Sequence, residues 1–325
     1  MVGTSKSIES NLVVNQSRKY QEFVAIKVIR NVPKYREATL IEIDVLKALQ
    51  KHDKNGKRGC LQMKEWFDYR NHVCIVSEKL GPSLYDFLKK NSYRPFSIEH
   101  VGWQLLNSVA YLHELSLIHT DLKPENILLV SSAYVKTLDY KVSARLDKHL
   151  TRTPTSAEIR LIDFGSATFE NQHHSSIVST RQYRAPEIIL GLGWSYACDL
   201  WSVGCILVEL FSGDPLFQTH ENLEHLAMME RILGPIPRRI IDNVDRKAQK
   251  YFKNGRELNW PDAASSLESI RTVKRLPRLK ELVQLHVEHS ASSLTDLLEG
   301  LLRYGASDRL TAKEALRHPF FKERR

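Results

Sequence analysis

Apolar positions along the chain fall into two rhythms. Phe23 to Ile29 (FVAIKVI) alternates in the way a strand does, and Val73 to Ser77 predicts another strand. Between them Pro33 opens a helical pattern from Lys34 to Leu49, with a stripe of Ala38, Glu42, Leu46 and Leu49. Gly81-Pro82 is a turn or linker signal. Beyond it helical spacing dominates, as in the stripe Val101, Leu105, Val109, Leu112. The most apolar run, Leu200 to Phe211, has the length of a buried core helix and not of a membrane span. Short strands are predicted at Ile127 to Val130 and Ile159 to Ile162, with a polar, irregular surface insertion, Ser131 to Ala157, between them. The expected fold class is α+β, with a strand-rich small lobe over residues 1–80 and a helical large lobe over 81–325, joined near Lys79 to Ser83.

Two charges interrupt the apolar pattern. Lys27 shares a strand face with Ala25 and Ile29, and Glu42 sits in the middle of the helix stripe. Isolated buried charges are costly and paired ones tolerable, so the simplest solution is that Lys27 and Glu42 meet. A snorkelling lysine and a rim glutamate are the bland alternative.

A second set of polar residues follows the long helical stripe. HTDLKPEN spans His119 to Asn126, and a further apolar strand leads to Asp163-Phe164-Gly165. Asn126 and Asp163 offer hard oxygen ligands suited to Mg2+ held together with phosphate oxygens. Asp121 is then available to orient and deprotonate a hydroxyl, and Lys123 to steady a transferred phosphoryl group. A lone Asp-Phe-Gly is weak, being an ordinary turn tripeptide. Its order here is specific, with VAIK upstream and Ala185-Pro186-Glu187 downstream.

Composition narrows the setting. With 325 residues, 42% hydrophobic and 26% charged, the chain reads as a soluble globular protein larger than one usual compact domain. Met1 to Ser10 carries no signal-peptide apolar stretch, and the four cysteines show no CxxC pairing, which suits reduced thiols in the cytosol or nucleus. The net charge of +9 is concentrated between Arg231 and Lys280, where thirteen Lys/Arg face five Asp/Glu. Such a stretch is either a solvated helical face or a site for a phosphate-rich partner. Without aromatic interleaving or zinc-finger spacing, direct nucleic-acid binding is not expected, and no membrane association is.

The chain resembles protein kinases of the LAMMER-type (CDC-like, dual-specificity) family. Glu224 to Arg231 reads EHLAMMER and is followed by ILGPIP. HTDLKPEN, LIDFGSA, STRQYRAPEIILGLGWSYACDLWSVGCIL and DRLTAKEALRHPFF match as well, so the likeness runs from about Phe23 to Phe321. It implies the two-lobed eukaryotic protein kinase fold, with ATP and Mg2+ as cofactors. It assigns Asp121 as catalytic base, Lys123 as phosphate partner, Asn126 and Asp163 as metal ligands, and Lys27 with Glu42 as the ATP-positioning pair. Thr180 would bridge Asp121 and Lys123 through its hydroxyl. Backbone groups of Glu78 and Leu80 would hold adenine beside Ser77, Glu187 would pair with Arg309, and Asp199 would brace the catalytic loop. Glu125 and Glu209 are candidates for reading substrate arginines, since guanidinium forks want carboxylates. The implied partners are serine/arginine-rich splicing factors in the nucleus, acted on by a monomer. The 224–280 region, with its LAMMER helix, would be a brace of the large lobe.

One departure stands against this likeness. A kinase normally carries a strand, a G-x-G-x-x-G loop and a second strand before its VAIK lysine. Here Gly3 is the sole glycine before Lys27, and Lys6 to Tyr20 cannot supply the loop. The expectation is an incomplete small-lobe sheet, two strands short and with an exposed edge. A kinase-shaped binding protein without turnover therefore remains beside the enzyme reading. P-loop and Rossmann proteins are excluded because neither fingerprint occurs.

Overall fold

The structure is a computed structural model that describes residues 4–6, 10–91, 98–138, 150–172 and 174–322. Contacts divide the chain into two units, residues 1–92 with 124–167 and residues 93–123 with 168–325. Gly3 and residues 7–9 lie outside the described residues.

The first unit is built on five antiparallel strands in the order β1-β2-β3-β5-β4. They are β1 (Thr4–Lys6), β2 (Ser10–Ser17), β3 (Glu22–Ile29), β4 (Met63–Tyr69) and β5 (His72–Glu78). The expectation of an incomplete sheet is thus corrected: both strands ahead of the VAIK segment are present. Leu12, Val13 and Val14 give β2 the residues a strand favours, and it pairs with β3 along its whole length, from Ser10 opposite Ile29 to Ser17 opposite Glu22. What is missing is only the glycine loop, because β1 and β2 are joined by Ser7-Ile8-Glu9.

Helix α1 (Pro33–His52) starts where Val32 is still extended and Pro33 occupies the first turn, which needs no donor there. It buries Thr39, Glu42, Ile43, Val45, Leu46 and Leu49. Glu42, Leu46 and Leu49 of the expected stripe are buried, whereas Ala38 is exposed and Thr39, Ile43 and Val45 widen the buried face. Helix α2 (Leu84–Lys90) is capped by Ser83, whose hydroxyl oxygen accepts the Asp86 N–H. Just before it, a Cβ on Gly81 would stand 2.7 Å from the Ser131 carbonyl, so only glycine fits. The insertion expected to be irregular contains a hairpin, Tyr134–Leu138 against Leu150–Pro154, while its residues 139–149 lie outside the described residues. Asn91 fastens that hairpin, accepting from the Arg152 N–H and donating to its carbonyl. The strand pair Ile127–Leu129 and Ile159–Leu161 completes the unit.

The second unit is helical. Val101, Leu105, Val109 and Leu112 of α3 (Ile98–Glu114) are all fully buried. After α4 (Pro186–Leu190), every residue of α5 (Ala197–Ser212) from Cys198 to Phe211 is buried, and each such Leu or Ile contributes roughly 1.5–3 kcal/mol. The EHLAMMER residues lie in α6 (Asn222–Leu233). Leu226, Ala227, Met228 and Met229 are core, and the carboxylates act as fasteners. Glu224 accepts the hydroxyls of Thr219 and Ser269, and Glu230 accepts the Ile236 N–H at 2.9 Å. Ser269 belongs to α8 (Leu267–Arg275), which follows the short α7 (Arg238–Ile241). Helices α9 (Leu279–His286), α10 (Ala291–Leu301) and α11 (Ala312–Leu316) finish the unit. All four cysteines are buried and unpaired. No described helix is long and apolar enough to cross a membrane.

Candidate active site

In the first unit Lys27 reaches from β3 to α1 and donates to both oxygens of Glu42, at 2.8 and 2.9 Å. A second carboxylate, Asp163, lies 3.6 Å away. Burial pulls the Lys27 pKa down, but Glu42 and Asp163 together outweigh it and leave it raised. The ammonium is therefore fixed as a cation. Asp163 stands in the left-handed region (φ 64°), with the buried Phe164 anchoring the turn. Gly165 lies against α1, where a Cβ would come 3.8 Å from Glu42 Oε2.

Asn126 is buried, and its carbonyl accepts the Ile162 N–H at 2.9 Å, which fixes it to the residue before Asp163. Asn126 and Asp163 are oxygen donors of the kind Mg2+ takes, and the Asp163 side chain is 46% exposed. No cluster of three or more His, Cys, Asp or Glu capable of holding a metal occurs among the described residues. Two oxygen ligands and no protein cage suit an ion completed by phosphate and water. Ser77 is buried, and its hydroxyl donates to the Glu78 carbonyl at 3.3 Å. The Glu78 carboxylate is occupied by the Gln62 N–H, and Leu80 is half-buried.

In the second unit Asp121, Lys123 and Thr180 form one cluster. Thr180 donates to Asp121 Oδ1 through its hydroxyl at 2.7 Å and its N–H at 2.9 Å. Lys123 donates to Asp121 Oδ2 at 2.7 Å and to the Thr180 hydroxyl at 3.2 Å. Burial raises the Asp121 carboxyl, but the bonds from Lys123 and Thr180 prevail and hold it below its ordinary 3.8. The loop is braced from beneath, because buried Asp199 at the start of α5 accepts the N–H groups of His119 and Thr120, both at 2.9 Å. Its Oδ2 also lies 3.0 Å from His113 Nε2. That brace holds Thr120 at φ 68°, a conformation costly for a β-branched residue unless its surroundings impose it.

Of the remaining candidates, Glu187 and Arg309 meet in a buried two-pronged ion pair with both contacts at 2.5 Å. Glu125 is exposed. Glu209 is only 3% exposed and accepts the Tyr183 hydroxyl at 2.7 Å, so this structure gives it an internal partner in place of an arginine at the surface. Sequence reasoning missed the residues that hold the segment before the APE motif. Ser179 donates to the Thr120 carbonyl at 2.6 Å, and Arg184 donates to the carbonyls of Val178 and Ser179. Their partners are backbone oxygens, which leave no mark in residue type.

A protein kinase domain family model matches residues 9–321. Serine/threonine-protein kinase AFC1 of Arabidopsis thaliana is 63% identical over 309 residues, which cover 93% of this chain and 66% of that protein. Dual specificity protein kinase CLK2 of Homo sapiens is 50% identical over 301 residues, covering 92% of this chain and 58% of that protein. The chain thus spans just under two thirds of the first relative and less of the second. A crystal structure described as a kinase domain is similar at a TM-score of 0.88 and 37% identity, covering 98% of this chain and 93% of the other. With a kinase-domain model matching nearly the whole chain, relatives at 50–63% identity and the EHLAMMER sequence in α6, the chain belongs to the protein kinase family, in its LAMMER-type, CDC-like branch.

Proposed function

We propose that the chain is a dual-specificity protein kinase that moves the γ-phosphoryl group of ATP onto serine and threonine hydroxyls, and onto its own tyrosines. Arginine/serine-rich splicing factors are the proposed substrates, and the nucleus the setting. The observation that carries the reading is the Asp121–Lys123–Thr180 cluster. In the transfer, the hydroxyl oxygen bonds to the γ-phosphorus, the bond to ADP breaks, and the hydroxyl proton passes to Asp121. A carboxylate held below 3.8 is a weak base, so Asp121 chiefly orients the hydroxyl and takes its proton late, as suits a loose transition state. Lys123 places a positive charge where phosphoryl oxygens gather charge. Lys27, fixed as a cation by Glu42, would hold the nucleotide phosphates. Asn126 and Asp163 would hold Mg2+, whose charge neutralises those oxygens when it is bound.

The glycine-free connection Ser7-Ile8-Glu9 favours a second reading, a kinase-shaped binding protein with impaired turnover. Backbone N–H groups of a glycine loop cover the phosphates, and their loss weakens positioning. Labelled ATP, Mg2+ and a serine peptide flanked by arginines decide between the two. The kinase reading expects phosphoserine by mass spectrometry, at a rate that falls about tenfold or more when the arginines become alanines. Nucleotide binding without label transfer would establish the second reading. Transfer indifferent to arginine would overturn the substrate assignment.

A further inference from the structure

The carboxyl-terminal part of the second unit holds a cavity of about 590 Å³ that phosphoryl transfer leaves without a role. That volume is within the range of built ligand sites, roughly 300–1,000 Å³. Its apolar lining includes the buried side chains of Ile232, Leu279 and Leu302. Four cations, Arg239, Arg278, Lys280 and Arg303, stand around it against two carboxylates, Glu299 and Asp308. Arg239 is paired with Asp308, and Arg278 donates to the Glu230 carbonyl at 3.0 Å. The side chains of Lys280 and Arg303 are exposed, and neither the ammonium nor the guanidinium has a hydrogen-bond or ion-pair partner among the described residues.

The carbonyls closing α6 are occupied, Glu230 O by the Gly234 N–H at 3.0 Å and Gly234 O by the Tyr304 hydroxyl at 2.9 Å. The first residues of α9, Leu279 and Lys280, line the same cavity, and the end of that helix is closed by Glu281, which accepts the Arg278 N–H at 2.9 Å, so the charge offered to a ligand comes from the side chains. We infer that this cavity docks a phosphoserine-bearing segment of a partner protein, its phosphate taken by Lys280 and Arg303 and a neighbouring apolar side chain by the floor. A phosphate dianion matches two uncommitted cations, and a guanidinium fork accepts two of its oxygens at once. A nucleic acid fits less well. Glu299 and Asp308 interrupt a continuous polyanion, and Tyr304 is buried with its hydroxyl engaged, so no base-stacking platform is offered.

This docking is independent of catalysis and is measured without ATP. The probe is a fluorescein-labelled peptide with two phosphoserines beside a leucine, read by anisotropy. Its comparators are the unphosphorylated peptide, a glutamate version and a single-stranded RNA of equal charge. The parent chain should prefer the phosphopeptide. The double variant Lys280→Ala, Arg303→Ala should weaken that binding about tenfold or more with an unchanged Tm. A control of equal charge loss on exposed lysines of the first unit, Lys51→Ala with Lys54→Ala, should leave it intact. No preference for phosphate, tighter binding of the RNA, or equal loss in both double variants would overturn the proposal.

Discussion

At Lys27 burial and charge pull in opposite directions, and the outcome decides which partner matters more for stability. The Glu42 side chain is 6% exposed, whereas that of Lys27 is 31% exposed and has Asp163 as a second neighbour. Removing the lysine therefore leaves a buried carboxylate without its cation. Removing the charge on Glu42 leaves a lysine that still reaches Asp163 and water. Lys27→Met should cost about 3 kcal/mol in urea unfolding, and Glu42→Gln about 1 kcal/mol. The reverse order would show that the pair is held by α1 packing and not by charge. This pairing was legible in the sequence because each residue stood wrongly in an apolar pattern. The clasp of Arg184 on Val178 and Ser179 was not, since nothing in a pattern of residue types marks which backbone carbonyls turn inward.

Among the elements, α6 shows what a recognised motif contributes physically. Its methionines are core, its glutamates are fasteners, and His225 is fully buried with neither ring nitrogen hydrogen-bonded among the described residues. The ring packs against Phe217 at 5.1 Å between centroids. Burial first, and then Arg181 and Arg184, push its pKa down to about 3 from 6.5. A native state that refuses this proton loses stability as pH falls below 6.5, where the unfolded chain accepts it, and goes on losing it towards pH 3. His225→Leu removes two unsatisfied nitrogens and should raise Tm at pH 7 by about 2 °C or more. It should also flatten the loss of stability between pH 6.5 and 4. A lower Tm with an unchanged acid slope would mean the imidazole has a role in the core. Helix existence was easy to read from spacing, but β2 was not recognised as a strand. Leu12-Val13-Val14 is a short apolar run without alternation, and the pairing with β3 that stabilises it is not written in its own sequence. The hairpin in the 131–157 segment was missed for a similar reason, because its polar residues carry no apolar alternation.

For the whole molecule, the sequence marks its motifs more plainly than the edges of its structure. Asp121, Asn126 and Asp163 lie in short, contiguous signatures, so they stand out as candidates before any fold is known. The basic excess behind the net charge of +9 was visible too, but not that part of it lines a cavity. The central claim is that Asp121, held by Lys123 and Thr180, serves phosphoryl transfer and not merely the shape of a kinase. The most direct measurement compares parent and Asp121→Asn for ATP affinity with Mg2+ and for the rate of peptide phosphorylation under saturating ATP. The account predicts nearly equal nucleotide affinity and a rate lower by a factor on the order of 10²–10⁴. Equal rates in parent and variant, with affinity intact in both, would contradict it.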